Sequence, residues 1–177
     1  MIKLKTKIIL FIFISTLGLI TLCYIISSFS NNFPKNTIIT KILVVKSKRE
    51  MFLYSNNRII TSYHISLGFR PKGKKHFKGD GKTPEGLYKI TAKNYQSVAY
   101  ISLRISYPNN ADLQYAQRYK KDAGGDIMIH GLMGGYNFFW KFHTLIDWTG
   151  GCIAVTNQEM DELFDCVKIG TPIEINP

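Results

Sequence analysis

Cysteine is scarce: only Cys23, Cys152 and Cys166 occur in 177 residues. A scaffold stapled by disulfides is excluded, because such scaffolds are small and cysteine-dense. Acidic residues are also few, 12 against 23 Lys and Arg, for a net charge of +11. That surplus favours anionic partners without separating nucleic acid, membrane and acidic wall polymer. Repeats and low-complexity tracts are missing, and no Arg follows Arg118. What is present is a 45% hydrophobic, 20% charged chain. This composition excludes disorder and collagen and suits one domain with a real core.

The longest apolar stretch lies at the N-terminus. Residues 8–29 carry no charge, Lys3, Lys5 and Lys7 precede them, and Lys35 is the next charged residue. A helix needs about 20 apolar residues to span a bilayer. The lysines place the N-terminus in the cytoplasm. The expectation is a cytoplasmic tip and uncleaved transmembrane anchor over 1–29, a polar linker over 30–40, and one domain over 41–177. A cleaved signal peptide is the alternative, although the run is long for one and lacks a clear cleavage site. A lipoprotein is a weaker option, since Leu22 before Cys23 suits lipidation poorly. In each case the domain works outside the cytoplasm, in the cell envelope, which argues against nucleic acid as a partner.

Beyond the linker the pattern is mainly β. Ile42–Val45, Met51–Tyr54, Ile59–Leu67, Leu87–Thr91 and Tyr100–Ile105 are short runs rich in β-branched and aromatic residues. Asn56-Asn57 reads as a hairpin turn, because Asn tolerates positive φ. Residues 70–84 form a basic, Gly-rich loop. A short helix is expected around Ala111–Tyr119, and strands at Asp126–His130, Cys152–Val155 and Thr171–Ile175. Thr156 and Glu159 have the spacing of a capping box, which starts a helix whose apolar stripe is Met160, Leu163, Phe164 and Val167.

Two residues suggest chemistry. Cys152 follows Gly150-Gly151 at the start of a strand, where a tight turn exposes backbone N–H groups that can hold an oxyanion. A buried structural Cys is equally compatible with that local sequence. Cys152 and Cys166 could also pair with each other. His130 ends the Ile127-Met128-Ile129 strand and is followed by Gly131. A thiol of pKa ~8.5 needs a base or cation to react at neutral pH, and a His at the end of an adjacent strand supplies one. A protonated His130 beside a thiolate would pull the thiol well below that value. His143 is the rival base, nearer in sequence but without a strand to hold it. His64 and His76 read as ordinary surface or core groups.

With these motifs in order, the chain resembles the L,D-transpeptidase catalytic domain of the YkuD family. Gly79-Asp80-Gly81-Lys82-Thr83-Pro84-Glu85-Gly86, Ile129-His130-Gly131 and Thr149-Gly150-Gly151-Cys152-Ile153 carry the match, and Gly170-Thr171-Pro172-Ile173 fits the closing strand. The resemblance covers about residues 41–177. It implies a mainly β fold, a compact sandwich or barrel with one or two short helices. It implies that Cys152 attacks the carbonyl between the L-centre of meso-diaminopimelate and a D-alanine in a peptidoglycan stem. A thioester forms, and an amine resolves it into a 3→3 cross-link. His130 would be base and acid, oriented by the carbonyl of Gly131. N–H groups around Gly150, Gly151 and Cys152 would hold the oxyanion. Thr149, Trp148, Lys82 and Tyr136 are candidate substrate contacts. Neither metal nor cofactor is implied. Stem peptides are the expected partner, the membrane a second one through the N-terminal segment, and a monomer is expected.

Two positions depart from the family pattern. Gly150 stands where many members have His, and Ala154 where many have Arg, a residue suited to gripping a substrate carboxylate. The basic loop of Arg70, Lys72, Lys74, Lys75, Lys78 and Lys82 could replace that grip, or be a solvated charged loop. The aromatics Tyr136, Phe138, Phe139, Trp140 and Trp148 suit a cleft or lid, or core packing. A sortase needs an Arg soon after its Cys, and only Lys168 is basic after Cys152. A papain-like peptidase places Cys before His. A hydrolase on the same stems and a non-catalytic wall-binding module remain as alternatives.

Overall fold

The computed structural model describes residues 15–18, 21, 37–133 and 143–177. The chain divides into two units, 1–32 and 33–177. In the first, residues 15–18 and 21 are helical, and the Thr21 hydroxyl donates to the carbonyls of Leu17 and Gly18. No helix among the described residues is long and apolar enough to cross a membrane. Most of the anchor expected over residues 8–29 lies outside the described residues.

The second unit is built on an eight-stranded sheet. The strands are β1 (Lys41–Val45), β2 (Glu50–Ser55), β3 (Arg58–His64), β4 (Gly86–Ser97), β5 (Tyr100–Ile105), β6 (Met128–His130), β7 (Ile153–Ala154) and β8 (Pro172–Asn176). Their order across the sheet is β3-β2-β1-β8-β4-β5-β6-β7. Most pairs are antiparallel, but β1–β8 and β6–β7 are parallel. Asn56 and Asn57 both take positive φ and turn β2 into β3, as their side chains allow. Among the described residues of this unit there are two α-helices, α1 (Asn110–Arg118) and α2 (Asn157–Cys166).

Alternation places one face of each strand inside. Ile42 and Val44 of β1, Met51 and Leu53 of β2, and Ile173 and Ile175 of β8 are buried while their neighbours are not. The stripe of α2 closes the core with Met160, Leu163 and Phe164. Each such side chain contributes roughly 1.5–3 kcal/mol on burial. The Thr156–Glu159 capping box forms as expected, and Asn109 with Asp112 forms a second one on α1.

Three expectations change. The strand anticipated at Ile59–Leu67 leaves β2 at His64, and Ile65–Leu67 crosses to the other end of the sheet. There Ser66 and Ala154 exchange both backbone hydrogen bonds, which brings the two sheet edges together. The strand anticipated at Leu87–Thr91 runs on to Ser97, because its outer half is an exposed hairpin arm with little apolar signal. Ile39, assigned to the linker, is buried and bridges Val167, so ordered packing begins before Lys41.

Candidate active site

β6 and β7 are parallel neighbours, with His130 opposite Ala154 and Ile129 opposite Ile153. Cys152 lies two residues before Ala154, immediately ahead of β7. By the period of two, Cys152, Ala154 and His130 share one face, while Ile129 and Ile153 point into the core. The sheet therefore brings the two sequence-predicted residues to one place.

The turn that presents Cys152 is held from inside. The Thr149 hydroxyl donates to the Cys152 carbonyl at 2.7 Å and accepts the Gly151 N–H at 3.1 Å. Thr149 also pairs through its backbone with Leu67 and Phe69. Gly151 has φ +138°, and a Cβ there would lie 2.6 Å from the Lys82 carbonyl. Only glycine permits that approach. Among the described residues no acceptor takes the N–H of Gly150 or of Cys152.

His130 is buried, and its Nδ1 lies 2.7 Å from the Gly131 carbonyl. A carbonyl only accepts, so Nδ1 carries the proton and Nε2 the lone pair. Gly131 is itself crowded: a Cβ there would lie 2.5 Å from Asn157 Oδ1, which also accepts the Leu132 N–H at 2.7 Å. The N-terminus of α2 thereby holds the His-Gly element in place. The Trp148 ring meets the His130 ring edge-on at 5.8 Å.

The Cys152 thiol lies 3.6 Å from the Asp126 carbonyl, to which it donates. Burial pushes this thiol above its ordinary range, against the Met128 N–H and the Lys75 charge, which favour the thiolate. Burial likewise lowers His130, against the Gly131 hydrogen bond. Both directions favour the uncharged forms, a thiol and an imidazole. The depressed thiol pKa that a thiolate–imidazolium pair would show is not what this burial produces. Cys152 and Cys166 are both free thiols.

The rival base also comes close. The Ser66 hydroxyl donates to the His143 carbonyl at 2.6 Å and lies 3.2 Å from His143 Nδ1. Ser66 pairs with Ala154, and His143 is lowered first by burial and then by the charge of His130. His143 flanks the site, while His130 stands on the strand beside Cys152. Among the described residues, nothing accepts from or donates to His143 Nε2 and Trp148 Nε1. Tyr136, Phe138, Phe139 and Trp140 lie outside the described residues.

Part of the basic loop is tied down, while Arg70, Lys72 and Lys78 are exposed. Lys75 is 3% exposed and donates to Asp80 Oδ1 at 2.9 Å, and Lys74 Nζ sits 2.8 Å from Asp112 Oδ1. Asp80 Oδ2 accepts the N–H groups of His76 and Phe77, and Thr83 Oγ1 accepts that of Gly68. The Gly-Asp-Gly-Lys-Thr-Pro segment thus supports the turn ahead of Cys152 from behind. The Lys82 carbonyl faces Gly151, whereas its ammonium lies on the Gly73 side of the loop. Asp147, which sequence reasoning missed, accepts the Leu67 N–H and pairs with Arg49 at 2.7 Å. A cleft of about 450 Å³ opens beside Gly150, lined also by Lys75, Lys78, Gly79, Asp122 and Asp126.

Comparison with known proteins agrees with this geometry. YafK of Escherichia coli K12, an L,D-transpeptidase by designation, is 29% identical over 132 residues, 71% of this chain and 46% of that protein. The helical cell shape determining protein Pgp2 of Campylobacter jejuni is 25% identical with a TM-score of 0.59, over 79% of this chain and 48% of that one. Bd1075 of Bdellovibrio bacteriovorus is 26% identical with a TM-score of 0.55, over 78% and 48%. The chain spans about half the length of the relatives it matches. The L,D-transpeptidase catalytic domain family, YkuD, matches residues 39–175, more than half of the sequence, and the chain belongs to that family.

Proposed function

We propose that this protein performs cysteine-dependent acyl transfer on peptidoglycan stem peptides in the cell envelope. The observation that supports the reading is the parallel β6–β7 register, with Cys152 and the Nδ1-anchored His130 on one face and Gly150, two residues before Cys152, lining a cleft. In the first step His130 Nε2 takes the thiol proton as Sγ attacks the carbonyl of the L-centre of diaminopimelate. The negative charge on the carbonyl oxygen is received by the N–H groups of Cys152 and Gly150. Gly151 gives its own N–H to Thr149 and supports the turn instead. The imidazolium is stabilised by the Gly131 carbonyl and returns its proton to the departing D-alanine amine. A thioester on Cys152 remains. An amine, from a second stem or a protein, then attacks it with His130 as base, and the product is a 3→3 link or an attached protein.

A second reading has water as the acceptor, so that the product is a trimmed stem. Ala154 is fully buried against Ser66, so the position that carries Arg in many members offers no cation to hold a substrate carboxylate here. That weakens the hold on an acceptor stem and favours water when amines are dilute. The test is product analysis of disaccharide-tetrapeptide incubated with the full chain in detergent. A tetra-tri dimer supports transfer, and tripeptide alone supports the hydrolase. Loss of both in Cys152→Ala and His130→Asn is expected for either. Unchanged turnover in Cys152→Ala would refute both.

A further inference from the structure

Next to the cleft lies an aromatic cluster outside the hydrophobic core. His76 stacks on Tyr115 with ring centroids 4.0 Å apart and planes 21° from parallel. Tyr115 meets Tyr119 at 5.0 Å, Phe77 meets Tyr119 at 5.8 Å, and Lys121 Nζ lies 4.7 Å over the Phe77 ring. Clustered rings ordinarily fill a core. None of these belongs to it, and Tyr119 is 56% exposed.

The cluster is held before anything binds. Asp80 Oδ2 anchors the N–H groups of His76 and Phe77 at 2.8 and 2.9 Å. The Lys78 N–H donates to the Asp122 carbonyl at 2.8 Å, and the Lys121 N–H to the Ala116 carbonyl at 3.0 Å. Rigid aromatic faces bind with little loss of side-chain entropy.

A cavity of about 370 Å³ runs along this face, lined by Phe77, Lys78, Gly79, Asp80, Lys121 and Asp122. Three of these, Lys78, Gly79 and Asp122, also line the cleft beside Gly150. The two cavities therefore adjoin, and Phe77 brings the edge of the aromatic cluster to their shared rim. Lys78 and Asp122 are 3.8 Å apart and largely exposed, so their polar ends remain available to a ligand.

We propose that this face is a binding site for the glycan strand of peptidoglycan, so that the chain holds sugar and stem peptide together. The inference rests on the reading of stem peptides as substrate. Pyranose rings offer flat C–H faces that stack on aromatic rings. Their hydroxyl and acetamido groups suit the ammonium and carboxylate groups at the rim. Three stem residues separate the reacting carbonyl from the sugar, a reach of about 10 Å when extended, which leads the glycan out of the cleft and onto its margin. Energy from this remote contact would be spent on holding the stem in position.

The test compares kcat/KM for disaccharide-tetrapeptide and for the free tetrapeptide, using the full chain in detergent. The wild type should prefer the disaccharide by about tenfold or more, the size of one well-used aromatic contact. Tyr119→Ala should reduce that preference to near unity and leave the free tetrapeptide unaffected, whereas Tyr119→Phe should keep it. Equal turnover of the two substrates by the wild type would overturn the proposal, as would equal losses on both in Tyr119→Ala. A second arm titrates an N-acetylglucosamine tetramer into Cys152→Ala protein. Binding that vanishes with Tyr119→Ala supports the site even if neither peptide is turned over, in which case the function reading alone fails. No binding, together with no preference, removes the site and leaves the function reading standing.

Discussion

The ring of His130 is steered by its own neighbour, with Nδ1–H donating to the Gly131 carbonyl at 2.7 Å. This bond selects the tautomer with its lone pair on Nε2 and stabilises the imidazolium once it forms. Burial meanwhile lowers the His130 pKa and raises that of Cys152. In the proposed mechanism, proton transfer would therefore accompany the attack.

A pH signature follows. Alkylation of Cys152 by iodoacetamide should be slow at pH 7 and climb only at pH values above the ordinary thiol range of ~8.5, because burial raises this thiol. Cys166, pushed up to about 12 by burial, should stay silent throughout. Peptide turnover should fall only at pH values below the ordinary imidazole range of ~6.5, because burial lowers His130 and its protonation removes the base. An alkylation midpoint well below 7 would instead show a resting thiolate–imidazolium pair.

Thr149→Val tests the nucleophile turn. It removes a hydroxyl that bonds the Cys152 carbonyl and the Gly151 N–H, both inside the protein. A cost of about 1–3 kcal/mol in unfolding free energy is expected from the unsatisfied groups. Turnover should fall further than stability alone explains, and Thr149→Ser should restore most of both.

The two glycines before Cys152 should respond differently. Gly151→Ala drives a Cβ to 2.6 Å from the Lys82 carbonyl at φ +138°, so the thermal midpoint should drop sharply. A Cβ on Gly150 meets nothing within 4 Å, so Gly150→Ala should change stability by less than about 0.5 kcal/mol. Equal midpoints for the two variants would contradict the turn geometry.

Much of this site could be read from the chain because its signals are local. Cys152 after two glycines, His130 at a strand end and the Thr156–Glu159 box each depend on near neighbours. The rest depends on distant partners. Nothing near Lys74 or Lys75 announces that Asp112 and Asp80 will pair with them, so the loop reads as solvated charge. Ile65–Leu67 looks like more of β3, since apolar alternation does not say that its partner changes from β2 to β7. Asp147 resembles any polar residue before a turn until Arg49 and the Leu67 N–H arrive from across the sheet.

Lys46 makes a further long-range tie. It is almost fully buried, and its ammonium donates to Glu85 at 2.7 Å and to the carbonyls of Gly73 and Thr83. Lys46→Met should cost about 3 kcal/mol, because Glu85 and two carbonyls lose their donor. Pairing it with Glu85→Gln should recover part of that loss in chemical denaturation, since the uncompensated charge is gone.

The most direct test of the account is intact-mass spectrometry of the full chain after brief incubation with disaccharide-tetrapeptide, followed by acid quench. The account predicts a mass gain equal to the disaccharide-tripeptide acyl group, mapped to Cys152 and absent from Cys152→Ala. His130→Asn should slow its appearance by roughly a hundredfold or more. An unmodified Cys152 in protein that is turning substrate over, with no adduct at any quench time, would contradict a thioester on this residue.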